Sequence, residues 1–191
     1  MSTNPAMMQT PESVNGIEVD KITSVISEIN ADTNNAKWKF WSENQWMGGA
    51  VNQSAFNNFY SLGQENTSRT APFMLEADEP VSLSGNDTAP NPVEHLLHAL
   101  ISCLTTSLVA HAAVRGITIE DITSSTEGDI DIRGFLGISE DVRKGYQAIR
   151  ITMKVKSEAP AEQLKELALF SPVYDVVSNS LPVELNIETY S

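Results

Sequence analysis

Cysteine is almost absent from this chain: Cys103 stands alone among 191 residues. One thiol excludes an intrachain disulfide and any paired-cysteine zinc or dithiol motif. Basic residues are scarce as well. Twelve Lys and Arg face 25 Asp and Glu, giving a net charge of −13 and a pI near 4.5. That balance opposes binding to nucleic acid or to anionic membranes, which recruit clustered Lys and Arg. No apolar run approaches the roughly 18 residues of a membrane span. Met1 to Val14 is polar, with Pro5 and Pro11, and lacks the basic and apolar regions of a signal peptide. A glycine-rich phosphate loop and a GxSxG elbow are missing too. The expectation is one globular domain in a reducing cytoplasm, without nucleic acid, membrane or cofactor.

What is present divides into a short N-terminal part, residues 1–35, and a main domain, residues 36–191. Residues 1–16 read as a polar tail. Ile22, Val25, Ile26 and Ile29 then recur at helical spacing. Lys37 to Tyr60 is rich in aromatics and broken by Gly48-Gly49, which is hairpin chemistry. Pro72 to Leu83 offers a further strand and a turn around Pro80. The clearest element follows. Asn91 can cap a helix, Pro92 suits its first position, and Glu94 falls where a carboxylate reaches back to a free N–H. This helix is apolar over more than one stripe and stops at Gly116, so burial on most sides is expected. Ile117 to Ile132 alternates as a strand, and Gly134 to Gly145 reads as a loop. Ala148 to Lys156 alternates again, Ala161 to Phe170 is an amphipathic helix, Ser171-Pro172 opens another, and Pro182 to Tyr190 alternates as a last strand. The order predicts an α+β fold rather than a βαβ repeat.

Cys103 lies twelve residues past the helix cap. Free cysteine is often a small buried hydrophobe. A chemical role requires a cation or donor beside the sulfur, because mid-helix placement gains little from the dipole. His95, His98 and His111 share the helix, but at about 100° per residue no three of these side chains converge with the sulfur. Glu127, Asp129 and Asp131 alternate with Ile130 and Ile132, the pattern of a solvated strand face. No metal site follows from either group.

The stretch from Asn91-Pro92-Val93-Glu94 through Ser102-Cys103-Leu104 resembles the central-helix signature of the OsmC/Ohr family. Ala112 to Ile117, Glu127 to Asp131, Gly134 to Gly137, Ser171-Pro172-Val173 and Leu181-Pro182-Val183 extend the likeness. So do Gln64-Glu65 and Ala77 to Pro80, which fit its longer branch, and together the segments cover residues 36–190. The resemblance implies an intertwined α+β homodimer, with long central helices packed against antiparallel-rich sheets. It also implies thiol peroxidase chemistry on organic hydroperoxides in oxidative-stress defence. Cys103 would be the catalytic nucleophile and an external thiol the reductant. Three positions depart from that pattern. Ser171 stands where the family carries a second, resolving cysteine, and Val93 stands where peroxidase members carry a glutamate. Gln45 lies in the strand where their arginine is sought, leaving Lys37, Lys39 and Arg69 as substitutes. The departures imply one-cysteine chemistry at most. The alternative is a non-catalytic dimer that binds a small apolar or thiol-bearing ligand beside Cys103.

Overall fold

The computed structural model describes residues 13–179 and 181–189. They fall into two compact units, whose boundary lies between Leu96 and Leu97.

The first unit opens with a small hairpin, β1 (Ser13–Val14) and β2 (Ile17–Glu18). Its turn, Asn15-Gly16, takes φ of 55° and 76°, the left-handed geometry that Asn-Gly adopts in tight hairpins. The expected tail therefore ends earlier than read, and its first twelve residues lie outside the described ones. Helix α1 spans Val19–Ala31, as the apolar spacing predicts. β3 (Lys39–Phe40), β6 (Phe59–Ser61) and β7 (Gln64–Asn66) form one antiparallel sheet. β4 (Glu43–Gly48), β5 (Val51–Phe56) and β8 (Phe73–Ala77) form another. Gly48 and Gly49 carry positive φ at the β4–β5 turn, and the Trp46 indole N–H donates to the Gly49 carbonyl at 2.9 Å.

Beyond β8, a fully buried Asp78 organises the loop that leads to the long helix. Its carboxylate accepts from the backbone of Glu79 at 2.8 Å, Asn86 at 3.0 Å and Thr88 at 3.2 Å. The Thr88 hydroxyl adds a fourth bond at 2.9 Å. Gly85 crosses the Glu79 carbonyl so closely that a Cβ there would sit 1.7 Å from its oxygen. Only glycine fits that crossing.

Helix α2 (Pro92–Val114) starts and stops as its sequence requires. Glu94 Oε2 accepts from the Asn91 N–H at 2.8 Å, and Asn91 Oδ1 accepts from the Glu94 N–H at 2.9 Å, a reciprocal capping box. Gly116 takes φ of 67°. There the Ile117 N–H reaches the Ala112 carbonyl and the Gly116 N–H the Ala113 carbonyl, a Schellman ending. The helix is more apolar than the run-counting above suggests. Its best 18-residue window has a mean hydropathy of 1.6, enough by length and composition to cross a membrane. Only 28% of that window is buried within the chain, so the expected burial on most sides is not met there and one face alone packs as core. Leu100, Leu104, Leu108 and Ala112 form one i,i+4 stripe, buried with Leu164, Leu167 and Ala168.

In the second unit β9 (Asp121–Asp129) and β10 (Ala148–Lys156) pair antiparallel along nine residues each, from Asp121↔Lys156 to Asp129↔Ala148. Ile149, Ile151, Met153 and Val155 of β10 pack on the α2 core, while Arg150, Thr152, Lys154 and Lys156 face outward. The strand expected to reach Ile132 ends at Asp129, and one helical turn, α3 (Ile132–Phe135), capped by Asp131, takes its last residue and the start of the expected loop. Helices α4 (Ala161–Ala168) and α5 (Pro172–Ser178) follow. The expected last strand is not formed within residues 181–189, which are irregular, and Tyr190 lies outside the described residues.

Candidate functional site

Cys103 sits half-buried in the middle of α2, one residue and about 100° of helix rotation from the buried Leu104. Its sequence neighbours explain the local chemistry. The Ser102 hydroxyl donates to the His98 carbonyl at 2.8 Å, Thr105 to the Ile101 carbonyl at 2.9 Å, and Thr106 to the Ser102 carbonyl at 2.9 Å. These three hydroxyls are thus turned onto the helix backbone, and none donates to the sulfur. Among the described residues, no hydrogen bond to Sγ is formed within the chain. The thiol is half-buried rather than sealed in the core.

The other sequence candidates have structural work. Glu94 closes the capping box. At nine residues' separation its direction is about 180° from Cys103 around the helix. The His95 ring contacts the Glu76 carbonyl at 2.7 Å. His111 stacks on Phe170, with ring centroids 4.1 Å apart. Its Nδ1 lies 3.1 Å from Arg115 Nη1 and accepts from it, which places the ring proton on Nε2. Burial first, and then the Arg115 charge, hold the His111 pKa below its usual 6.5. Ser171, only 1% exposed, accepts from the Tyr174 N–H at 3.1 Å and caps α5, as Ser-Pro predicts.

The acidic strand face resolves into ion pairs. Arg150 reaches across from β10 to Glu127 Oε1 at 2.5 Å and Asp129 Oδ2 at 2.7 Å. Asp131 lies past the strand and binds Arg133, which lowers its pKa from 3.8 to about 2, mainly through hydrogen bonding. No group of three or more His, Cys, Asp or Glu side chains converges on a metal position among the described residues.

The three cations weighed as substitutes for the missing arginine separate clearly. Lys37 Nζ binds Asn34 Oδ1 at 2.9 Å, and Lys39 lies on the two-residue β3. Arg69 lies between aromatic faces, 5.1 Å from the Phe59 centroid and 5.0 Å from that of Phe73, and Nη1 donates to the Asn57 carbonyl at 2.7 Å. It lines a cup of about 340 Å³ with Phe40, Trp41, Phe56 and Met74. No carboxylate lies within 4.0 Å of Arg69 among the described residues. Sequence spacing does not show this setting, because Phe59 and Phe73, the rings that hold Arg69, lie 14 residues apart on separate strands. Gln45 pairs with Gln53 in the β4–β5 ladder and supplies no charge.

A long apolar helix carrying the chain's one thiol, with antiparallel strands before and after it along the chain, defines an α+β protein. The sequence model of the OsmC-like protein family matches residues 85–186, just over half of the chain. The chain belongs to the OsmC-like family. Solved structures agree on the fold. A Psychrobacter arcticus protein, named for an osmotic-stress-induced detoxification response, superposes with a TM-score of 0.52 at 18% identity, covering 69% of this chain and 83% of that one. An OsmC-like protein of Mycoplasma pneumoniae gives 0.51 at 15% identity, over 75% and 89%. One of Vibrio cholerae, itself of unknown function, gives 0.51 at 13% identity, over 76% and 95%. No curated protein gives a significant match.

Proposed function

We propose that this chain is a one-cysteine, thiol-dependent peroxidase acting on organic hydroperoxides in the cytoplasm, working as a homodimer. The observation that carries the reading is Cys103 itself, a half-buried sulfur on α2, in the stretch that resembles the family signature. The Cys103 thiolate attacks the terminal peroxide oxygen. The O–O bond breaks, the alcohol leaves with a proton from solvent, and sulfur becomes a sulfenic acid. Ser171 cannot resolve that acid by disulfide formation. An external thiol therefore displaces water to give a mixed disulfide, and a second thiol releases Cys103 as the thiol, leaving the reductant as its own disulfide.

The dimer is supported by exposed apolar side chains. Phe40 and Phe73 of the first unit are 66% and 65% exposed, and Trp46 is 72% exposed, more than a solvated face normally carries. Light scattering should give about twice 20.9 kDa.

One observation favours a second reading, a non-catalytic dimer that binds a small apolar or thiol-bearing ligand. Among the described residues the sulfur has no hydrogen-bond donor, whereas a reactive thiol needs a donor or cation beside it. Steady-state consumption of cumene hydroperoxide, with dithiothreitol and with dihydrolipoamide, separates the two. Turnover with one dimedone adduct on Cys103, both lost in Cys103→Ser, is the result expected of the peroxidase. Turnover that persists in Cys103→Ser removes this residue from the chemistry.

A further inference from the structure

Arg69 is the one charged side chain among the described residues that line the aromatic cup of the first unit. Rings fix its position. Those of Phe59 and Phe73 lie 5.1 Å and 5.0 Å from the guanidinium carbon, and Phe59 is itself stacked on Phe40 at 5.7 Å. Cation–π contacts of this kind occupy the flat faces of a guanidinium and leave its rim of N–H donors open. One of the five donors is spent on the Asn57 carbonyl at 2.7 Å. No carboxylate lies within 4.0 Å of Arg69 among the described residues, and Glu65 accepts from the Asn58 amide at 3.0 Å instead.

The rest of the cup is apolar and mostly aromatic. Phe40, Trp41, Phe56 and Phe73 supply flat rings around a volume of about 340 Å³, within the range of small-molecule sites. Ring walls favour a flat body that can stack or meet them edge to face. A cation at the wall of such a cavity selects an anion with an apolar body. Among anions, a planar carboxylate meets two N–H donors of one guanidinium in parallel. The aromatic contacts already hold the guanidinium in place, so little ordering is left to be done when a ligand arrives. A wholly apolar occupant, whether ligand or protein, would cover the charge and leave it unpaired, which is strongly unfavourable.

We propose that this cup binds a small aromatic carboxylate, its carboxylate paired with Arg69 and its ring seated among Phe40, Trp41, Phe56 and Phe73. The site lies wholly within the first unit. It holds its ligand without covalent chemistry and does not depend on any reaction at Cys103.

Isothermal titration calorimetry of the full chain tests this with 2-naphthoate and with 2-naphthalenemethanol, a neutral probe of similar shape. One naphthoate should bind per chain, about tenfold or more tighter than the alcohol, the margin expected of a charge-assisted pair. Arg69→Gln should remove that margin and leave the alcohol nearly unchanged. Arg69→Lys keeps the charge but loses the fork, so its affinity for naphthoate should fall between those of the parent and Arg69→Gln. Cys103→Ser should bind naphthoate as the parent does, whatever becomes of its turnover. The two probes on the unaltered chain suffice even where Arg69→Gln loosens the contacts between Phe59 and Phe73. Equal affinity for acid and alcohol overturns the proposal, as does the absence of saturable binding at millimolar naphthoate. Affinity that falls as protein concentration rises overturns it in favour of a second copy seated on the cup.

Discussion

The Asn91–Glu94 capping box offers the sharpest separation between a structural and a chemical reading of the α2 N-terminus. Asn91→Ala leaves the Glu94 N–H without the acceptor it has at 2.9 Å, which should cost about 1 kcal/mol, within a range of 0.5–2. Glu94→Ala removes the acceptor that the Asn91 N–H has at 2.8 Å and also a negative charge at the positive end of the helix dipole, the latter worth about 0.3–1 kcal/mol. Glu94→Gln keeps an acceptor and loses only the charge, so its cost should be the smallest of the three. The two bonds form one box, so Asn91→Ala/Glu94→Ala should cost less than the sum of its parts, by about 0.5 kcal/mol or more. Urea unfolding followed by circular dichroism gives these differences, provided the slope stays constant. The midpoint temperature should fall by about 2–4 °C per kcal/mol for a chain of this length. Peroxide consumption by Glu94→Gln should equal that of the parent, because Glu94 lies on the opposite side of the helix from Cys103. Strict additivity of the single changes would refute the reciprocal cap. Unchanged stability in Glu94→Gln with lost Cys103 reactivity would refute its purely structural role.

Two further outcomes follow from buried oxygen atoms. At Asp78, burial pushes the pKa up, but the hydrogen bonds from Glu79, Thr88 and Asn86 outweigh it and hold the pKa below its usual 3.8. The folded pKa is thus the lower one. Its stabilisation is present above the unfolded value and fades as pH falls through the folded value. Asp78→Asn should therefore destabilise the protein at neutral pH and flatten the acid limb of its unfolding curve; an unchanged acid limb would show that another carboxylate governs it. Ser171→Cys should fold with a loss of about 0.5–2 kcal/mol, the cost of a weakened cap. After mild hydroperoxide treatment it should lose two hydrogens by mass and take no dimedone. Two free thiols would show that the Cα atoms of residues 103 and 171 do not approach within about 7 Å.

The sequence by itself determined the elements whose causes are local. Asn91, Pro92, Glu94 and Gly116 set both ends of α2, Ser171-Pro172 set the start of α5, and period-two alternation set β10 to the residue. Each signal acts through hydrogen bonds or sterics within a few positions of the chain. The same local rules placed a strand at residues 182–190, but a strand exists only when another edge accepts it, and alternation cannot name that edge. Asn15-Gly16 is a hairpin-turn signal, but its flanking strands, of two residues each, are too short to show alternation. Tertiary structure alone decided the rest. It enclosed Asp78 with donors from as far as Thr88, stretched Arg150 across to Glu127 and Asp129, laid His111 on Phe170, and put Arg69 between Phe59 and Phe73. It also left the Cys103 sulfur without a donor among the described residues. Pairings of this kind depend on where separate elements meet in space, and their energy is gained only after long loops have closed, so no spacing along the chain encodes them.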